Sequence, residues 1–297
     1  MRFRKLKDIV ASRLMLSATV FSALLVVFIA VGLFLKSRPI FAIQSLNKLL
    51  FSSSWHPLNG EFGLYPFLMG TLWVTVVAMV IAIPLCLLTS IYLAEYAPRK
   101  VRGVVKPMID LLAGIPSVVY GLFGILLIVP LTKSIAPVFG YTTNGYNVLS
   151  GGIVLAIMVF PVIISISSEV IETVPYSMRE ASLALGATKW QATKLVVMRS
   201  ALPGLIAAII LGFARAFGET MAVLMVVGNV AQVPSSVFDP AYPLPALIAN
   251  NYGEMMSIPQ YDSALLFAAL VLLVVVFLFS VGARIILARV ERRYQVG

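Results

Sequence analysis

The sequence contains few of the residues from which soluble enzymes build their sites. Its 297 residues include one cysteine, Cys86, and one histidine, His56. A single cysteine excludes an internal disulfide framework and a thiolate metal site, and a single histidine excludes a zinc site built on histidines. No glycine is followed by lysine, so the phosphate-binding loop G-x-x-x-x-G-K is absent from the chain. A nucleotide, if one is used, must be bound by another chain.

Charged residues are scarce as well. They make up 11% of the chain, whereas hydrophobic residues make up 60%. A soluble domain carries roughly 25% charged residues, so this composition predicts an all-α integral membrane protein with about six transmembrane helices. The apolar runs are Leu14–Leu35, Leu72–Leu93, Leu111–Leu131, Gly152–Ser168, Leu202–Val227 and Ala264–Leu287. The basic segment before the first run resembles a signal peptide. The run is too long for one and no A-x-A-like cleavage site follows, so an uncleaved helix is expected.

Positive charges lie unevenly about these runs. With the N-terminus placed inside, 17 of the 22 Lys and Arg fall in inside segments and 4 in outside segments. This asymmetry predicts that both termini are cytoplasmic. It also accounts for the net charge of +10 without nucleic acid. We therefore expect one transmembrane domain over residues 1–297, with a short cytoplasmic tail over residues 1–13.

Two outer segments stand out between the apolar runs. Residues 43–51 are expected to lie flat at the membrane interface, with Trp55 as an anchor. The segment before the last run is rich in proline, lacks Lys and Arg, and carries Asp239 and Glu254. We predict a long loop without regular structure there. A functional loop and a simple tether are both compatible with this pattern.

A cytoplasmic loop over about residues 170–200 has clear helix signals. Ser177 stands three residues before Glu180, a capping-box spacing that predicts the start of a short helix. Gly186 stands where a left-handed residue would end that helix. Thr188 and Gln191 have the same capping-box spacing and predict the start of a second helix. The loop is therefore expected to hold a short helix, a turn, and a helix that leads into the membrane.

The short helix carries apolar residues on a cytoplasmic loop, namely Met178, Leu183 and Leu185. An exposed apolar surface of this kind needs a cover. Either the protein's own helix ends or a partner protein could provide it.

The stretch REASLALGATKW at 179–190, followed by LPG at 202–204, resembles the EAA motif of ABC importer permeases. Glu180, Ala181, Gly186 and Pro203 match the motif, whereas its third position is Ser182 instead of alanine. In that family the short helix docks into a nucleotide-binding subunit and couples that subunit to the membrane helices. The resemblance implies the same coupling role for Glu180, Ala181 and Gly186.

Arg215 and Glu219 are the only ionisable residues in the middle of an apolar run. An uncompensated charge there costs at least about 2.5–3.5 kcal/mol. Their spacing of four predicts that they share one helix face and can pair. The pair could be purely structural, or Arg215 could bind an anion in a water-filled passage while Glu219 fixes and balances it. Small residues at every fourth position predict close packing of this helix: Gly204, Ala208, Gly212, Ala216 and Thr220.

The stretches FARAFGETMAVLMVVGN at 213–229 and AGIPSVVYGLFG at 113–124 resemble the C-type permease subunit of the phosphate-specific transport system. The resemblance implies the type I importer permease fold, transport of phosphate, and roles for Arg215 and Glu219 in that transport. Ser117 and Tyr120 are weaker candidates for the passage, because buried hydroxyls commonly bond their own helix backbone.

The same resemblance implies a set of partners in a bacterial or archaeal cytoplasmic membrane. These are a second homologous permease, two ATP-binding subunits that hold ATP and magnesium, and an extracytoplasmic phosphate-binding protein. This chain would then be a transport subunit with no enzyme activity and no cofactor of its own.

Other functions remain open at the level of sequence. Molybdate, tungstate and sulfate permeases belong to the same class. A stand-alone secondary transporter or channel could use Arg215 and Glu219 as an ion relay, although it has no need of a docking helix. A membrane enzyme has little catalytic material in a chain with one histidine and one cysteine.

Overall fold

A computed structural model describes residues 2–254 and 260–295, which form helices and one small hairpin. The two-residue strands β1 (Trp55–His56) and β2 (Glu61–Phe62) pair antiparallel. Helices α1 to α13 are, in order, Arg2–Ser37, Leu46–Phe51, Tyr65–Ile91, Arg99–Ala113, Ser117–Phe123, Val129–Ile135, Val148–Glu172, Tyr176–Ala184, Lys189–Ala192, Met198–Phe217, Met221–Leu224, Leu244–Asn251 and Tyr261–Gln295. The all-α class is thus confirmed, and residues 2–13 form the first turns of α1.

Within the described residues, six helical segments are long and apolar enough to cross a membrane, as predicted. Some of them join two helices through a π-helical or 3₁₀ turn. We call them spans 1 to 6, and they cover Ile9–Ala42, Tyr65–Tyr96, Ser117–Phe139, Val148–Glu172, Lys189–Phe217 and Tyr261–Arg289.

Two spans are bounded differently from the predicted apolar runs. Leu111 belongs to α4, which ends at Ala113, and span 3 begins only at Ser117. Pro116 causes this break, because proline disfavours helical backbone at the residue before it and has no N–H to donate. The fifth run was predicted as one helix to Val227, but α10 ends at Phe217. Gly218, a poor helix former, follows directly.

The centre of the molecule is the packing of α7 against α3 and α10. Gly204 and Gly212 of α10 face α7, where added Cβ atoms would lie 2.8 Å from Cγ2 of Val170 and 2.5 Å from Cγ1 of Ile163. Ala208 is fully buried and Ala216 is 3% exposed. The predicted small-residue packing is therefore confirmed from Gly204 to Ala216, whereas Thr220 lies beyond the end of α10.

Residues 46–51 of the segment at 43–51 form α2. The ring of the neighbouring Trp55 packs edge-on against Phe67 and Tyr261, with centroids 4.9 Å and 6.1 Å apart. Trp55 is half-buried in an aromatic cluster that joins the start of span 2 to the start of span 6. Trp55 thus has a packing role within the protein, and its place at the membrane interface stays a prediction.

The outer segment between spans 5 and 6 is folded, so the prediction of a loop without regular structure is wrong. Its backbone docks on the start of α7, where the N–H of Leu149 donates to the carbonyl of Val237 at 2.8 Å. Further along, the first half of α12 is buried, and the N–H of Leu244 donates to the Thr71 hydroxyl at 2.8 Å. Proline-rich sequence here specifies a fixed path because each proline fixes its own φ angle. Residues 255–259 lie outside the described part.

Asp239 ties this segment together. Its carboxylate accepts from the hydroxyl of Ser235 at 2.7 Å and from the backbone N–H groups of Ser235 and Ser236 at 2.9 Å each. Partial burial acts to raise the pKa of Asp239, but these three hydrogen bonds together hold the pKa below its ordinary value of 3.8. The ionised form therefore stabilises the folded segment.

Candidate functional site

The break after α10 decides the geometry of the first predicted site. Gly218 to Thr220 separate α10 from α11, so Arg215 and Glu219 no longer share one helix face. Instead, the Glu219 carboxylate accepts from the backbone N–H of Ala222 at 3.2 Å and caps the first turn of α11. Among the ion pairs of the described residues, none joins Arg215 to Glu219. The predicted pairing is therefore wrong, because it assumed a continuous helix.

Arg215 lies in the last turn of α10, where a cation is favoured by the carbonyl end of the helix dipole. Its side chain is exposed in the single chain and makes no hydrogen bond to another described residue. Leu211 and Met221 nearby are 52% and 43% exposed. A free guanidinium within a membrane span is costly against lipid. The guanidinium therefore needs water or a polar partner, which a water-filled passage or another protein on this face would provide.

Tyr120 lies beside the break between α4 and α5. Its hydroxyl donates to the carbonyl of Leu112 at 2.7 Å and so bridges the interruption. Tyr120 is 6% exposed. Ser117, one turn earlier, is half-buried at the start of α5. The hydroxyl of Tyr120 thus has a partner, which lies on a different helix from the tyrosine itself.

The two broken spans lie against each other. Helix α5 packs on α11, where a Cβ on Gly121 would lie 2.5 Å from the sulfur of Met225. Gly124 is enclosed in the same way, with an added Cβ 2.7 Å from Cγ1 of Val226. This close approach places the break before Ser117 beside the break that follows Arg215. The two breaks in the spans thus lie on neighbouring helices, with Arg215 before one break and Ser117 after the other.

The predicted docking helix is α8, and its start differs from the prediction. It begins at Tyr176 with Pro175 in the N-cap position, and it has no capping hydrogen bond from Ser177 or Glu180. The capping box predicted for this pair is wrong because the helix starts two residues too early for Ser177 to be its N-cap. Glu180 and Ala181 are exposed on α8.

The end of α8 agrees with the sequence. Gly186 has a left-handed backbone conformation with φ +85°. Its N–H donates to the carbonyl of Leu183 at 2.9 Å, and the N–H of Ala187 donates to the carbonyl of Ser182 at 3.2 Å. This pair of bonds is a Schellman motif.

The capping box predicted at the start of the next helix is also confirmed. The N–H of Gln191 donates to the Thr188 hydroxyl at 3.2 Å, and the Gln191 side chain accepts from the backbone N–H of Thr188 at 2.8 Å.

No residue of α8 is buried. Leu185 is 90% exposed, Leu183 is 45% exposed and Met178 is 40% exposed. Within the described residues, the protein's own chain covers Met178 and Leu183 in part and leaves Leu185 almost fully exposed.

Arg179, which the sequence shows only as a positive charge and a motif residue, forms an ion pair that was not predicted. The Arg179 guanidinium pairs with Glu95 of span 2 at 2.7 Å. The pair is 84 positions apart in sequence, so helical spacing gives no signal for it. A second set of ion pairs joins α4 to α7. There Glu172 accepts a hydrogen bond from Lys106 at 3.0 Å and lies 3.4 Å from the guanidinium of Arg102.

Comparisons with known proteins agree with this architecture. A family model described as the binding-protein-dependent transport system inner membrane component matches residues 86–295. A probable ABC transporter permease protein, YqgH of Bacillus subtilis, is 39% identical over 88% of this chain and 85% of its own length. The phosphate transport system permease protein PstC of Xylella fastidiosa is 37% identical over 94% of this chain and 90% of its own length.

Solved structures share the fold at low identity. An inward-facing crystal form of the MetNI methionine ABC transporter has a TM-score of 0.57 at 21% identity, covering 74% of this chain and 93% of the other. An alginate-importing bacterial ABC transporter has a TM-score of 0.54 at 13% identity, covering 85% and 89%. With the fold and the family match together, the chain belongs to the family of inner membrane components of binding-protein-dependent transport systems.

Proposed function

We propose that this chain is the permease subunit of an ATP-driven, binding-protein-dependent importer of inorganic phosphate. The observation that carries the proposal is Arg215, an exposed cation without a partner among the described residues, in the last turn of α10 and beside the break of span 5. Relatives named as phosphate permeases, with 37% identity over nearly the whole chain, support phosphate as the anion.

Arg215 suits a phosphate anion for reasons of shape and charge. A guanidinium offers a planar fork of N–H donors that matches two oxygens of one phosphate edge. Because Glu219 caps α11 instead of neutralising Arg215, the positive charge stays available to the anion. Tyr120 and Ser117 lie beside the same passage and supply hydroxyls as secondary contacts.

The open faces of the chain imply its partners. The face that carries Arg215 would pack against a second homologous permease, with the passage between the two subunits. The exposed α8 would dock on one of two ATP-binding subunits, which hold ATP and magnesium, and Glu180, Ala181 and Gly186 would serve that contact. An extracytoplasmic phosphate-binding protein would approach the folded segment between spans 5 and 6. Both termini would lie in the cytoplasm of a bacterial or archaeal cell.

Competition in reconstituted vesicles that contain all cognate subunits tests the substrate. Labelled phosphate uptake should be inhibited by arsenate, which has the shape and protonation of phosphate, and not by sulfate or molybdate. Inhibition by sulfate or molybdate alone would move the substrate to that oxyanion. Uptake without the ATP-binding subunits would instead indicate a stand-alone transporter.

A further inference from the structure

The docking helix α8 is only lightly packed on the rest of the chain. It follows α7 after residues 173–175 and touches the π-helical turn of span 5, but none of its nine residues is buried. A cytoplasmic cavity of about 880 Å³ borders it, lined among others by Arg102, Glu172 and Leu183. Apolar packing therefore gives α8 a weak connection to spans 2 and 4, and a directed polar contact would strengthen it.

Arg179 provides such a connection. Its Nε and NH2 groups donate to the Glu95 carboxylate at 3.0 Å and 2.7 Å. A further N–H of NH2 donates to the carbonyl of Ile171 at 2.9 Å, and NH1 donates to the carbonyl of Val174. The side chains of Arg179 and Glu95 are only 14% and 8% exposed. We call these four groups the Arg179 clasp.

The clasp joins three separate segments. Arg179 belongs to α8, Glu95 lies in the π-helical turn that ends span 2, Ile171 lies in the last turn of span 4, and Val174 lies in the turn that follows it. The guanidinium therefore adds donors to carbonyl groups at a helix end, where such groups lack a full set of partners within the helix. Only arginine can do this, because its five N–H donors lie in one rigid plane.

Neutralising a buried charge does not explain this arrangement. A buried ion pair stabilises no better than apolar residues of similar size. Four directed hydrogen bonds from one group instead fix the angle between α8 and the ends of two spans. A rotation of α8 must carry those ends with it or break the bonds.

We propose that Arg179 is a positioning residue that transmits movement of the docked helix α8 to spans 2 and 4 through Glu95 and the end of α7. This inference rests on the proposed importer function, since it requires an ATP-binding subunit on α8. It adds a defined mechanical connection within this chain, on residues apart from the exposed motif positions.

The test compares variants in the complete reconstituted complex, with the binding protein added. The variants are Glu95→Gln, Arg179→Lys and the apolar double variant Arg179→Met with Glu95→Leu. Lys106→Gln is the matched control, because Lys106 also makes a cytoplasmic ion pair but does not contact α8. Three quantities are measured: co-purification with the ATP-binding subunit, the thermal midpoint, and the stimulation of ATP hydrolysis by phosphate-loaded binding protein.

We expect all variants to assemble, and Lys106→Gln to be stimulated like the wild type. Stimulation should fall about tenfold in Arg179→Lys and in the apolar double variant, within the usual range of coupling between linked sites. Glu95→Gln keeps one acceptor oxygen, so its stimulation of ATP hydrolysis should fall less. The apolar double variant should recover its thermal midpoint without recovering its stimulation.

Full stimulation in the apolar double variant would overturn the clasp and leave a purely stabilising ion pair. Loss of assembly in Arg179→Lys together with an unaltered stimulation in Glu95→Gln would also overturn it. A wild-type complex that phosphate-loaded binding protein does not stimulate would instead refute the proposed function, so the two failures are distinguishable.

Discussion

The contact between α10 and α7 allows a prediction with a definite magnitude. In Gly204→Ala the new methyl group would lie 2.8 Å from Cγ2 of Val170, closer still to Cγ1, and 3.2 Å from Cβ. A branched side chain held between two helices cannot rotate all of these atoms away, so the helices must separate or the rotamer must strain. Overpacking of this kind costs about 1–3 kcal/mol.

Val170→Ala removes both clashing methyl groups, which allows a double-mutant cycle. Combined with Gly204→Ala it should recover part of the lost stability, with a coupling energy of about 1 kcal/mol. Gly103→Ala is the control, because no atom lies within 4 Å of its Cβ position in α4. That change should leave stability unchanged or raise it by up to about 1 kcal/mol. The assay is reversible unfolding of the purified chain in mixed detergent. Wild-type stability in Gly204→Ala, or a cycle without coupling, would refute the close packing described here.

Three further predictions concern the cytoplasmic turn, the outer segment and the orientation. Gly186→Val places a branched residue at φ +85° with no atom within 4 Å of its Cβ. The resulting loss of stability, about 1–2 kcal/mol, therefore comes from backbone strain alone. Stimulated ATP hydrolysis should fall while the complex still assembles. Unchanged stimulation of ATP hydrolysis would contradict a coupling role for Gly186. Asp239→Asn should destabilise the folded segment at neutral pH, as measured by proteolysis or hydrogen exchange. Because the folded pKa of Asp239 is lowered, the wild-type advantage is present above pH 3.8 and is lost as pH falls through the folded pKa; an advantage independent of pH would contradict this. A cysteine near Asp239, at the exposed Val233, should react with an impermeant thiol reagent from outside intact cells and one at 189 should not, with the buried Cys86 as a silent background. The opposite labelling would reverse the orientation.

The spans could be predicted from the sequence because their signal is local. A run of about twenty apolar residues needs a helix in lipid, whatever its neighbours are. The Schellman motif at Gly186 and the capping box at Thr188 were equally predictable, since each depends on a few adjacent residues. The small-residue packing from Gly204 to Ala216 follows from a simple spacing.

The errors arose where a local pattern competes with another local break or with distant contacts. The pairing of Arg215 with Glu219 assumed helical geometry that Gly218 interrupts. The packing of Trp55 on Tyr261 was not predicted, because Tyr261 lies far away in the sequence. The pairing of Arg179 with Glu95 has no sequence signal at all, because it depends on how span 2 and α8 meet in three dimensions.

Arg215 is the residue on which the importer account depends most directly. The measurement is phosphate uptake, normalised to assembled complex, for Arg215→Gln, Arg215→Lys, Glu219→Gln and the double variant Arg215→Gln with Glu219→Gln. Since Glu219 caps α11 and glutamine keeps an acceptor oxygen for the Ala222 N–H, Glu219→Gln should retain most uptake. Arg215→Lys should be partly active, because it keeps the charge and loses the planar fork.

Phosphate uptake by Arg215→Gln should be at least about tenfold lower than that of the wild type, which is the scale of one hydrogen bond to a charged group. The double variant should be equally impaired, because the two residues are not paired. Uptake near the wild-type level in the double variant would contradict anion binding by Arg215 and with it the central claim.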